Sequence, residues 1–248
     1  MPRDSSRAGH PADLLTLLWS PQQAVGRTGV TLAAITAAAA ALADAEGLSA
    51  VTMRRVAQSV DVGAMTLYTY VPGRPELLEL MLDSMAAATY EGRRLPAECG
   101  DWRSGVDYLA QRNWEHALLH PWAVEIPPAR PILGPGVTMK YECELAPLDG
   151  IGLSDHQMGQ LLTSVLAMVT QAARWQSGLD RIRADSTLTD GEWWRLSEPA
   201  LSRAVRRTDV PISSRVGESM ASAGDPLAAL RFGLTAILDG VQVLLDRC

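Results

Sequence analysis

Lysine is almost missing from this chain. Lys140 stands alone among 22 basic residues, and the rest are arginine. A skew that complete reads as coding bias rather than as a functional signal. Phenylalanine is as rare, with Phe232 alone. Aromatics make up 5% of the residues, so the seven tryptophans carry most of the large-ring chemistry. Cysteine is sparse too. Cys99, Cys143 and Cys248 are odd in number, scattered and without CxxC spacing. That excludes a disulfide framework and a thiolate zinc site, and it fits a reducing cytoplasm. No uninterrupted apolar run reaches the roughly 18 residues of a bilayer span. No charged leader with a small-residue cleavage site opens the chain. Neither membrane association nor secretion is expected, and a cytoplasmic location is. Enzyme signatures are also missing: there is no G-x-S-x-G and no P-loop, and "GIGLSD" lacks the third glycine of a dinucleotide fingerprint. No enzyme and no cofactor are expected. Strand-like alternation is absent, so the expected fold class is all-α.

What is present is a chain of 248 residues, 47% hydrophobic, long enough for one or two domains. Its net charge of −6 is unevenly spread, because the first 75 residues carry six arginines against five acids. The front is near neutral and the acidity lies behind it. Residues 1–28, rich in Pro, Ser, Gly and Arg, read as a flexible arm, with "DLLTLLW" as a short docking turn. A helix follows over Thr31 to Ala45, with Leu32, Ile35, Ala39 and Leu42 on one face. Gly47 is its natural stop. Thr52 caps a second short helix. A third spans Gly63 to Tyr70 after the turn Asp61-Val62-Gly63, and a fourth starts at Pro75. Further helices are expected near 101–119, 136–148, 155–178, 189–207 and 226–246.

A short capped helix, a tight turn and a second short helix form a helix-turn-helix. On a wheel of about 100° per residue, Gly63, Leu67 and Val71 share one side of the third helix, with Ala64 at its edge. Met65, Thr66 and Thr69 lie opposite, flanked by Tyr68 and Tyr70. Burying the Leu67 side therefore presents hydroxyls, a methionine and two phenols outward. Threonine methyls can touch thymine methyls, and hydroxyls can bond phosphate or base edges. Thr52 and Arg54 open the preceding helix, where it would cross the DNA backbone. The blander alternative is a small helical subdomain with both tyrosines half-buried.

The stretch "TLAAITAAAAALADAEGLSAVTMRRVAQSVDVGAMTLYTYVPGRPELLELMLDSM" resembles the DNA-binding domain of the tetracycline-repressor (TetR) family of regulators. The resemblance rests on Ala43, Gly47, Thr52, Arg54, Val56, Ala57, Thr66, Leu67, Tyr68, Tyr70, Val71, Arg74, Leu77 and Leu78. Arg74 stands where the family usually has lysine and would keep a cation for phosphate. Two departures are visible. Asp61 replaces the usual turn glycine, and only Arg27 and Thr28 precede the first helix where relatives carry several basic residues. The resemblance implies a helix-turn-helix DNA-binding domain at 29–74 and a ligand-binding and dimerisation domain at 75–248. It implies Arg27, Thr28, Thr52, Arg54, Ala64, Met65, Thr66, Tyr68, Thr69, Tyr70 and Arg74 as the DNA-facing set.

The expected effector region rests on polar or aromatic residues of otherwise core-facing helices: Trp114, His116, His120, Trp122, Met139, Met168, Gln171 and Trp175. Tryptophan and methionine favour an apolar or aromatic compound. His116 and His120 share a helical face, but no third ligand accompanies them and no metal is expected. Leu227, Leu230, Leu234, Ile237, Val241 and Leu244 alternate at 3-4 spacing. With the helix at 155–178 they are expected to form a homodimer seam. The leading expectation is a homodimeric repressor of a palindromic DNA operator, released by a small-molecule effector. The alternative is a helical small-molecule binding or sequestering protein with a vestigial helix-turn-helix.

Overall fold

The computed structural model of the chain describes residues 11–25, 29–127, 131–205, 208–220 and 224–247. The expected arm is in part folded. Helix α1, Pro11–Leu18, carries leucines at 14, 17 and 18, so one face is apolar, and Leu17 and Leu18 are buried in the core beside it. After it Ala24–Val25 (β1) pairs antiparallel with Val30–Thr31 (β2), which places Val25 fully inside. This ribbon is too short for any alternation to show in sequence.

Helix α2 is Leu32–Glu46, capped by Thr31, whose hydroxyl accepts from Ala34 N, and stopped at Gly47 with φ +82°. Helix α3, Met53–Ser59, is capped by Thr52 in the same way. Helix α4, Ala64–Tyr70, follows, and helix α5 is Arg74–Ala88. The turn between α3 and α4 is held by two backbone bonds, Val62 N to Ala57 O at 3.0 Å and Asp61 N to Gln58 O at 3.3 Å. That pairing is a Schellman closure, and it requires a left-handed residue at Asp61, where φ is +54°. Aspartate tolerates that region better than most side chains, which is why the turn survives without glycine.

Behind this unit lie α6 (Trp102–Leu119), α7 (Pro135–Leu145), α8 (Asp155–Asp185), α9 (Asp190–Val205), α10 (Pro211–Met220) and α11 (Pro226–Leu245). α8 runs two turns further than its apolar pattern suggested. α10, short and exposed, was not expected at all. One core cluster joins Val106, Leu109 and Trp114 of α6 to Leu162 and Val165 of α8 and Leu238 of α11.

The expected dimer seam needs correction. Leu230, Leu234 and Val241 are buried against α8 within the same chain, and Leu227 and Ile237 pack against that cluster. Gly233 lets Met168 of α8 come close. The 3-4 spacing therefore records packing inside the chain. The outer side of α11 is a second apolar stripe, Ala229, Phe232, Ala236, Gly240 and Val243, all exposed, with Phe232 at 80%. These two stripes together make α11 long and apolar enough to pass as a membrane span by composition.

Two outcomes follow for stability. Asp61→Val should lower stability by about 1–2 kcal/mol, the cost of forcing a β-branched residue left-handed, whereas Asp61→Gly should not. Leu234→Ala should lower it by roughly 2–5 kcal/mol as a core cavity. Thermal and denaturant unfolding check both, and a Leu234→Ala protein of unchanged stability would contradict the internal seam.

Candidate functional site

α4 is pinned to the molecule by Leu67 and Val71, both fully buried. That single anchor line sets what faces out. Met65 is 80% exposed, Tyr68 and Thr69 are exposed, and Thr66 lies at the rim. Thr69 Oγ1 donates to Met65 O at 3.0 Å, which leaves its lone pairs and methyl outward. Ala64 and Tyr70 turn the other way and pack against the core cluster of this unit. The outward surface is thus narrower than the wheel suggested: Met65, Thr66, Tyr68 and Thr69.

The basic residues divide sharply. Arg54 is exposed and has no partner among the described residues. Arg55 forks onto Glu46, at 2.9 and 2.6 Å, and ties α3 to the end of α2. Arg74, expected to reach phosphate, is turned inward. Its Nε donates to Val51 O and its Nη2 to Leu48 O, both at 2.9 Å. Those carbonyls lie near the two ends of the α2–α3 connection, so Arg74 fastens α5 to it. Thr52 accepts from Arg55 N, and its hydroxyl proton is left to donate. Arg27 and Thr28 lie outside the described residues.

Of the residues expected around an effector, the structure brings His116, His120 and Trp122 together. Trp114 is inside the core of α6, α8 and α11, and Met168 covers Gly233. Gln171 is exposed, and Trp175, at 40% exposure, lies over Gly224. His116 is buried; its Nε2–H donates to Met85 O at 2.9 Å, and its ring meets that of His120 edge-on. His120 Nδ1 and Trp122 Nε1 share one acceptor, Asp44 Oδ1, at 2.8 and 2.6 Å. Trp122 belongs to the core of the N-terminal unit, not to a pocket. Met139 lines a groove of about 460 Å³ between α1 and α2 on one side and α5 and α7 on the other.

Two arrangements lie outside what the sequence reading covers. Asp44 is one. The other is Glu144, 1% exposed, which accepts from Tyr90 Oη (2.8 Å), Asn113 Nδ2 (2.6 Å) and Lys140 Nζ (2.7 Å). Burial, and next the Glu144 charge, push the Tyr90 phenol far up, so it remains a donor. Only the i,i+4 spacing of Lys140 and Glu144 hinted at this cluster.

Residues 35–81 match the family profile described as bacterial regulatory proteins, tetR family, and residues 95–245 match the tetracyclin repressor-like C-terminal domain. The chain is a TetR-family transcriptional regulator. It is 34% identical over 246 residues to the HTH-type transcriptional repressor DrrR1 of Streptomyces coeruleorubidus, covering 97% of this chain and 89% of that one. Apo ActR from Streptomyces coelicolor superposes with a TM-score of 0.67 at 25% identity, over 86% of this chain and 95% of ActR. ActR in complex with actinorhodin gives 0.68, also at 25%, over 87% and 98%. The TetR-family profile begins inside α2, so α1 and the β-ribbon lie ahead of the matched residues.

Burial holds the His116 pKa below its ordinary value. The folded TetR-family protein therefore takes up that proton less readily than the unfolded chain, and stability should fall as pH drops below about 6.5. His116→Gln should flatten that part of a melting-temperature profile; an unchanged slope would show that the proton is taken up elsewhere.

Proposed function

We infer that this protein is a ligand-responsive transcriptional repressor that binds operator DNA through α4 and leaves it when a small molecule binds. The observation that carries the reading is the α4 surface, where Leu67 and Val71 hold the helix down and Met65, Tyr68 and Thr69 stand free. The similarity to DrrR1 across nearly the whole chain supports repression, and ActR supports a small-molecule signal. α4 would enter the major groove, with Met65 and the threonine methyls against bases and Tyr68 and Thr52 on phosphate. Arg54 supplies the free cation at that edge.

The protein acts as a homodimer in the cytoplasm, reading a palindrome whose half-sites lie one helical turn or more apart. The outer stripe of α11 supports this. Phe232, Ala236, Gly240 and Val243 put an apolar strip on the surface of α11, and Thr163, Ala167 and Thr170 on α8 are exposed as well. Two such helices from each copy would form a four-helix bundle. The division of labour falls near the start of α5, with DNA contacts before it and effector and dimer contacts after it. The effector is an apolar or aromatic compound, and regulation rather than catalysis is the role proposed.

Arg54→Ala should weaken operator binding while reducing the slope of log affinity on log salt by about 1. Met65→Ala should instead blunt discrimination between operator and mutated sites. Fluorescence anisotropy against salt measures both; variants that bind like the wild type would refute the α3–α4 surface. Phe232→Asp should give monomers by light scattering with helicity retained, and an unchanged mass would refute the α11 interface.

A further inference from the structure

The groove beneath α1 has the features of a second control point. Leu18 and Pro21 from the N-terminal extension and Leu32 and Ala33 of α2 form one wall. Leu80 and Ala87 of α5, with Pro135 and Met139 of α7, form the other. The α5–α7 wall is rigid. A Cβ at Gly134 would stand 2.2 Å from Asp83 Oδ1, and one at Gly136 would stand 2.0 Å from Asp83 O, so the two helices are locked at close approach. The opposite wall belongs to the DNA-binding unit, and Trp19 Nε1 reaches over to Leu133 O at 2.9 Å. The groove therefore spans the junction between the part that holds α4 and the part that carries the dimer stripe. Leu18 and Pro21 precede the TetR-family match, so that part of the wall is contributed by the extension.

The lining sets the chemistry of an occupant. One carboxylate, Asp83, faces the groove, and it is already compensated. It accepts from Gly136 N at 3.2 Å and Val137 N at 2.8 Å, in the first turn of α7, where the helix end favours negative charge. Among the described residues no cation lines the groove either. Two hydroxyls line the groove: Thr36 Oγ1 already donates to Leu32 O, whereas Ser84 is exposed on α5 with no protein partner among the described residues, so Ser84 is the free polar anchor. About 460 Å³ suits a molecule of one or two rings. We propose that this groove is an effector site for an uncharged, mainly apolar or aromatic molecule with one polar group, and that its occupancy weakens operator binding. The occupant touches both walls, so its affinity depends on their separation. DNA, by fixing α4, fixes the α2 wall. The coupling is reciprocal: whatever factor the occupant takes from operator affinity, operator takes from the occupant.

The proposal rests on the repressor reading, and the test separates the two. N-phenyl-1-naphthylamine serves as the uncharged aromatic probe, with the full-length protein and fluorescence enhancement as readout. Ala33→Phe and Ala87→Phe fill the groove from opposite walls, and Met139→Ala removes a side chain that is 62% exposed at its lip. Both filled variants should bind the probe about tenfold or more weakly, and Met139→Ala roughly threefold, as the apolar contact is lost. Saturating probe should weaken operator binding by the wild type about fivefold or more, and by the filled variants hardly at all. Operator binding without probe that is absent in the wild type sinks the repressor reading itself. Operator binding that persists, with no probe uptake or with equal uptake by all four proteins, overturns the groove alone.

Discussion

Trp122 joins the two halves of the molecule, and the placing of α4 depends on it. The side chain leaves the connector after α6, enters the core of the N-terminal unit and bonds Asp44 of α2 through its indole N–H. His120 bonds the same carboxylate oxygen. On its other side the connector is held by α8, with Arg174 Nε on Val124 O at 2.8 Å and Arg181 paired with Glu125. A core residue contributed by one unit to another resists rotation far better than an exposed salt bridge does. Without this graft, α5 would be the main link, and the tilt of α4 relative to the outer apolar stripe of α11 would be loosely set.

The remaining links follow the same geometry. Arg74 ties α5 to the carbonyls before α3, and Asp83 ties α5 to the first turn of α7. The Glu144 cluster then ties the segment after α5 to α6 and α7. α5 is thus fastened at its start, middle and end. A change of shape in the C-terminal region reaches α4 through a short series of charged and hydrogen-bonded contacts, each of which has a discrete geometry. That is the physical basis for a small molecule moving a DNA-binding surface.

Much of this was legible in the sequence. The helix-turn-helix was readable because its signals are local: Thr52 as cap, Asp61 in the turn, Leu67 and Val71 as the buried line. The long helices were readable because apolar spacing survives any tertiary context. The partner of a stripe was not. The 3-4 spacing of α11 predicts a subunit seam, yet Leu230, Leu234 and Val241 are core while Leu244 is exposed, since periodicity states which face is buried and not by whom. Arg74 shows the same limit. Its charge suggested phosphate, but carbonyls 23 and 26 residues upstream, at Val51 and Leu48, claim it. Trp122, Met168 and Trp175 were grouped by type as ligand contacts and proved to serve separate packing roles. α10 escaped because its exposed stripe, Ile212, Val216 and Met220, contributes nothing to a core.

The central claim is sequence-specific reading of DNA by the α4 surface. The most direct measurement is equilibrium binding of the full-length protein to a labelled duplex from its own upstream region, beside a shuffled duplex of equal length at the same salt. The account predicts binding about 10³-fold or more tighter to the first. Equal affinity for both duplexes would contradict it.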